Sequence, residues 1–283
     1  RFSPYSRINQ NGPEELGWRT TSRNLNLNRD YLKADAVEMR AWLGLWNVWR
    51  PDLFIDHHTT DGADWQYDFV YAMDQHGAAA PQVVEWTKAR LGARLMETLE
   101  KDGHIVAPYF DVVDWTDPAK GVRAGGFNPR FSTGYAAVRN RPGILVEGHM
   151  LKPYRTQVMG HYDLMRCVLE DLNREPKSLR EAVATADEAT VKMGAKYDPN
   201  ASMAVAIGPT DESVPFVLRA YPFRRELSEV SGSLWSIWDN TQPIDIPTVL
   251  FSGSKVTKTV NPPLAYIIPP QWTEVIDVAR AHG

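Results

Sequence analysis

The chain has 283 residues, 43% of them hydrophobic and 23% charged, an ordinary globular composition with length enough for one large domain or two small ones. A formal net charge of −4 offers no long-range attraction to nucleic acid, and no apolar run approaches the ~20 residues of a membrane span. The single cysteine, Cys167, excludes an intrachain disulfide framework and a cysteine-based zinc cluster, and reads as a small core residue.

Residues 1–30 are polar and turn-rich. The chain opens on Arg1 without a signal-peptide pattern and stops at Gly283 after a helical pattern, which fits a processed or excised piece of a longer protein. From about Asp35 to Val48 a helix is predicted, its apolar residues Val37, Met39, Trp42, Leu43, Trp46 and Trp49 including the i, i+4, i+7 stripe expected of one buried face. Arg50-Pro51 ends it, because proline disfavours helix at the residue before it. "DLFID" (52–56) reads as a buried strand. A second helix is predicted over Val83–Leu99 with Val83, Trp86, Ala89, Leu91, Leu95 and Leu99 inward, closed by Gly103. "HIVAPYF" (104–110) and "GILVEGHM" (143–150) read as strands. Helices follow from about Pro153 to Leu172 and after Pro176 to Gly194. Beyond about Tyr197, "SMAVAIG", "SVPFVLRAY", "LWSIW", "IPTVLFSG" and "LAYIIP" read as short strands before a closing helix. The expected architecture is therefore α/β over 1–196, with a mixed, mostly parallel sheet flanked by helices, followed by a smaller β-rich unit over 197–283.

Reactive groups gather in three segments at strand or loop ends, where α/β sheets bind ligands. "GWRTTSRNLNLNRDY" (17–31) carries Arg19, Arg23 and Arg29 among asparagines and threonines. A guanidinium fork matches a carboxylate or phosphate in two hydrogen bonds, so the stretch is either an anion-recognition loop or a solvated polar loop. "DHHTTDGAD" (56–64) offers Asp56, His57, His58, Asp61 and Asp64 as metal ligands or as an acidic surface loop. On an alternating strand, Asp56 and His58 share a face and His57 points away. Glu147 interrupts an apolar strand, and an unpaired buried charge is costly. It is either a general base or acid, or a structural partner of Arg139, Arg141 or Lys152. His149 is expected to satisfy a local hydrogen bond. Serine-hydrolase elbows, phosphate-binding glycine loops and His-Glu-x-x-His are absent from the sequence.

Taken in order, "WRTT" (18–21), "NLNLNRDY", "DAVEMRAW" with Glu38, "LFIDHH" and "ILVEG" resemble the zinc carboxypeptidase family, the carboxypeptidase A-like metallopeptidases. The resemblance spans residues 17–150 and rests on the order of the segments. It implies a zinc-peptidase-like fold and hydrolysis of the C-terminal peptide bond of a peptide or peptide-like substrate with a free carboxylate. It makes His58 a zinc ligand, Asn28 and Arg29 the grip on that carboxylate, Arg19 the stabiliser of the oxyanion, and Glu147 the general base. Tyr135 is the candidate for the tyrosine that covers the substrate, at a spacing from Glu147 that departs from the family. The family's one Zn ion takes its other two ligands from a His-x-x-Glu pair, and none of the seven histidines here starts one. The expectation is weak or absent zinc binding by this chain, which resembles a family domain lacking its first segment, and secretion or a periplasmic location for the intact enzyme. Two further functions suit the same residues: a zinc acylase acting on N-acyl amino acids, and a metal-free module that binds carboxylates or peptides.

Overall fold

The computed structural model describes residues 19–60, 62–73, 79–125 and 128–283. The first half builds an α/β layer in the order α1 (Val37–Trp49), β1 (Phe54–Thr59), β2 (Phe69–Met73), α2 (Pro81–Arg90), α3 (Gly92–Lys101), β3 (Val106–Pro108), β4 (Asp111–Val112), β5 (Val122–Arg123), α4 (Ser132–Val138), β6 (Gly143–Gly148), α5 (Tyr154–Arg174) and α6 (Ser178–Ala195). The second half adds β7 (Met203–Pro209), β8 (Ser213–Ala220), β9 (Phe223–Leu227), β10 (Leu234–Trp238), β11 (Ile244–Phe251), β12 (Ser254–Val260) and α7 (Thr273–Ala281). Among the described residues no helix is long and apolar enough to cross a membrane.

The protein is mixed α/β. Its main sheet has the order β1-β6-β2-β3, with β1–β6 and β2–β3 parallel and β2–β6 antiparallel. The apolar run "GILVEG" occupies the interior strand β6, where burial on both faces suits an unalternating sequence. One face packs on α3, α5 and α6 through Phe69, Ile144, Val146, Leu95, Leu164 and Val183. Gly160 lets α5 lie close to the sheet, because a Cβ there would sit 2.6 Å from Phe69 Cδ1.

The β-rich segment expected to begin near residue 197 shares a sheet with the first half, in the order β4-β5-β11-β8. Leu250 and Phe251 of β11 pair in parallel with Val122 and Arg123 of β5. Leu218, Ala220 and Leu250 are buried against Trp65, Tyr67, Val70 and Val122, so one core draws on both halves.

Three readings of the elements are corrected. The helix expected over 83–99 is two, broken at Leu91 beside Gly92, a residue that weakens helix interiors. Ala89 is exposed, because it lies off the face of Val83, Trp86 and Thr87 that α2 buries. In α1 the expected i, i+4, i+7 stripe is Met39, Leu43 and Trp46, all buried, with Val37 and Trp49 exposed. "LAYIIP" is not a strand, and Tyr266 and Ile267 face solvent. The Pro262-Pro263 and Pro269-Pro270 pairs at its two ends remove the backbone donors a ladder needs.

Candidate functional site

The face of the main sheet away from α5 forms the floor of a cleft of about 180 Å³. Arg19, Asn28, Arg29, His58 and Glu147 all line it. Segments far apart in the chain therefore converge on one surface.

Strand register explains two of them. His58 on β1 is the direct parallel partner of Glu147 on β6, and Val70 flanks Glu147 from β2. Alternation then sorts the neighbours: Asp56 and His58 lie on one face, and Asp56 Oδ2 is 2.7 Å from His58 Nε2. His57 turns to the opposite face and meets His161. The Asp56 hydrogen bond raises the pKa of His58 against the opposing effect of burial, and the charges of Asp56 and Glu147 add to the rise. A carboxylate on one imidazole nitrogen sets the tautomer and leaves the other nitrogen for a ligand.

The cationic wall comes from the segment before α1. Asn26 caps a 3-10 turn, Leu27–Arg29, by accepting the backbone N–H of Asn28 at 3.1 Å. Arg29 Nη1 donates to the Asn28 carbonyl at 2.7 Å, and its guanidinium lies 4.4 Å from the centre of the Phe131 ring. Burial lowers the pKa of Arg29, and the nearby charges of Arg19 and Arg130 lower it further. Clustered guanidiniums that repel one another favour an anion between them. Glu147 acts on Arg29 in the opposite sense. Arg23 is exposed and does not line the cleft.

Asp30 anchors this wall to the helix behind it. It is 5% exposed, and its carboxylate accepts the N–H groups of Asp35 at 3.0 Å and Ala36 at 2.8 Å, at the start of α1. Asp30→Ala is expected to cost about 1–2 kcal/mol of stability, the range of a lost N-terminal cap. Denaturant titration checks the loss. A change within about 0.5 kcal/mol would mean the contact does not tie the turn to α1.

The cations weighed as structural partners for Glu147 make the following contacts. Arg141 pairs with Asp187 and donates to the Pro51 carbonyl. Arg139 binds the His282 carbonyl, Asn47 and the Tyr135 hydroxyl. Lys152 lies near the Tyr221 hydroxyl at 3.4 Å. His149 makes the local contacts expected of it. The backbone N–H of Trp65 points at Nε2 (2.9 Å) and that of Leu151 at Nδ1 (3.2 Å), and a neutral ring can accept only one of them. Burial pushes this imidazole down to about 4, with the charge of Lys152 adding to it.

Tyr135 is not brought to the cleft. It is 1% exposed, packed among Tyr31, Trp42 and Trp46, and its hydroxyl is 2.9 Å from His282 Nδ1. That contact joins α4 to the end of the C-terminal helix α7. Glu38 is exposed on α1. Asp64 is buried and accepts from Asn240 at 3.2 Å, so it braces the wall of the cleft. Asp61 lies outside the described residues.

The aromatic wall escaped the sequence reading. Trp65, Tyr67, Tyr109, Phe110 and Phe131 line the cleft, with the exposed Trp115 at its edge. The spacing of Trp65 and Tyr67 by two was the available signal, since such residues share a side of an extended chain.

Among the described residues, no group of three or more His, Cys, Asp or Glu side chains is arranged to hold a metal ion. Compared with protein-family models, curated proteins and solved structures, the chain matches none of them.

Proposed function

We propose that the cleft binds the C-terminal carboxylate of a peptide or peptide-like substrate, and that this chain carries the substrate-binding and general-base part of a carboxypeptidase-type hydrolase site of zinc-peptidase-like fold. One observation carries the reading: two guanidiniums and an asparagine from the segment before α1, an imidazole from β1 and a carboxylate from β6 line one cleft. Arg29 and Asn28 take the terminal carboxylate, with Arg29 backed by the Phe131 ring. Arg19 faces the carbonyl next to it and stabilises the charge that develops on its oxygen. Glu147 accepts a proton from the attacking water and returns it to the departing amine.

A zinc ion would supply Lewis-acid activation of water and carbonyl. His58, oriented by Asp56, suits one of its ligands. A catalytic zinc takes three protein ligands, and the described residues do not supply that set, so none of the roles above is routed through a metal.

The test is binding of an N-acetylated dipeptide with a free carboxylate against its C-terminal amide, by calorimetry. The acid should bind on the order of 10–100-fold tighter, as a charge-assisted pair predicts. Equal affinities would overturn the reading. Release of the terminal amino acid in the same samples marks a peptidase, release of acetate an acylase, and binding without either a carboxylate-binding module.

A further inference from the structure

We propose that His57 and His161 form a separate site for a divalent transition ion of the imidazole-preferring class, such as Zn²⁺, Ni²⁺ or Cu²⁺, on the face of β1 opposite the cleft. The proposal does not depend on the carboxylate reading. His57 stands on β1 and His161 on α5, and their Nδ1 atoms are 2.7 Å apart. The ring centres are 4.9 Å apart and the planes are inclined at 54°. Two nitrogens at this separation share one proton when both rings are neutral, and a metal ion occupies the place of such a proton.

The pair is held before any ligand arrives. Gly160 brings α5 against Phe69, and Gly148 leaves room for the second imidazole: a Cβ at position 148 would lie 2.6 Å from His161 Nε2. His161 is thus seated against β6. His57 is exposed on the edge strand β1. Metal–nitrogen bonds of about 2.0–2.1 Å place the nitrogens about 2.9 Å apart at a square angle and about 3.3 Å apart at a tetrahedral one, so from 2.7 Å the rings need to open by about 0.2–0.6 Å. The exposed side leaves the remaining coordination positions to water. Late divalent ions accept imidazole nitrogen well, with Cu²⁺ the strongest of the series.

The experiment uses the whole chain and Cu²⁺ as probe, followed by calorimetry and by electron paramagnetic resonance. The expected result is one ion per chain with the splitting of coordinated nitrogen. His161→Gln and His57→Asn should each weaken binding by more than about tenfold, a loss comparable with other damage to metal sites. Circular dichroism shows that each variant is folded. Since His57 is exposed, His57→Asn keeps the test open should His161→Gln unfold. Unchanged affinity in the folded variants would overturn the site. So would loss of the ion on His58→Asn with retention on His161→Gln, which assigns the metal to the cleft instead.

Discussion

Arg29→Lys should weaken binding of a peptide with a free C-terminus by on the order of 10–100-fold and leave its amide nearly unaffected. Lysine keeps the charge but has no planar fork, so it cannot donate two parallel hydrogen bonds to one carboxylate. It also loses the stacked arrangement 4.4 Å from the centre of the Phe131 ring, which now orients the guanidinium. The residual ammonium remains close to Arg19 and Arg130, so attraction of an anion persists while its geometry is lost. Titration of both ligands against both proteins separates the effects. Parallel losses for acid and amide would mean that Arg29 shapes the cleft and does not grip a carboxylate.

The largest change in stability is expected at the α5–sheet junction. Leu164 is 0% exposed and belongs to the core of Phe69, Ile144, Val146 and Val168. Leu164→Ala should cost about 2–5 kcal/mol, because the rigid sheet on one side limits collapse of the cavity. Leu169, on the same helix but 64% exposed, provides the comparison: Leu169→Ala should stay within about 0.5 kcal/mol. Urea unfolding of both variants reads the difference. A cost at Leu164 near that of Leu169 would mean that α5 does not press on the sheet as described. Both the floor of the cleft and the seat of His161 depend on that packing.

Some of the site was legible because its signals are local. The period of two along β1 is enough to place Asp56 and His58 on one face and His57 on the other, and their hydrogen bonds follow that division. Glu147 stood out because a carboxylate in an apolar strand is costly without a partner or a task. Arg29 among asparagines marked a polar loop with anion chemistry. The assignment of Tyr135 rested on its place in sequence order, and burial decided otherwise. A tyrosine on a short helix whose residues Ser132–Ala137 are all buried has nowhere to turn its ring but the core.

Strand prediction shows the same division. "LAYIIP" has strand composition, but the prolines at both ends deny it a ladder, whereas the charged segment "SKVTKTV" pairs with β7 because its backbone groups are free to do so.

Local pattern was sufficient for the α/β class, for helices α1, α5 and α6, for the interior strand and for the residue types fit for anion and proton chemistry. Periodicity, caps and buried polarity act over a few residues, and those effects are written in the chain. Long-range packing was needed to line one cleft with Arg19, Arg29, His58 and Glu147, to wall it with Trp65 and Tyr109, to extend with β11 a sheet begun at β5, and to bring His57 to His161. Those facts depend on strand register and helix docking between distant segments. The core as a whole sets them, and no short stretch does.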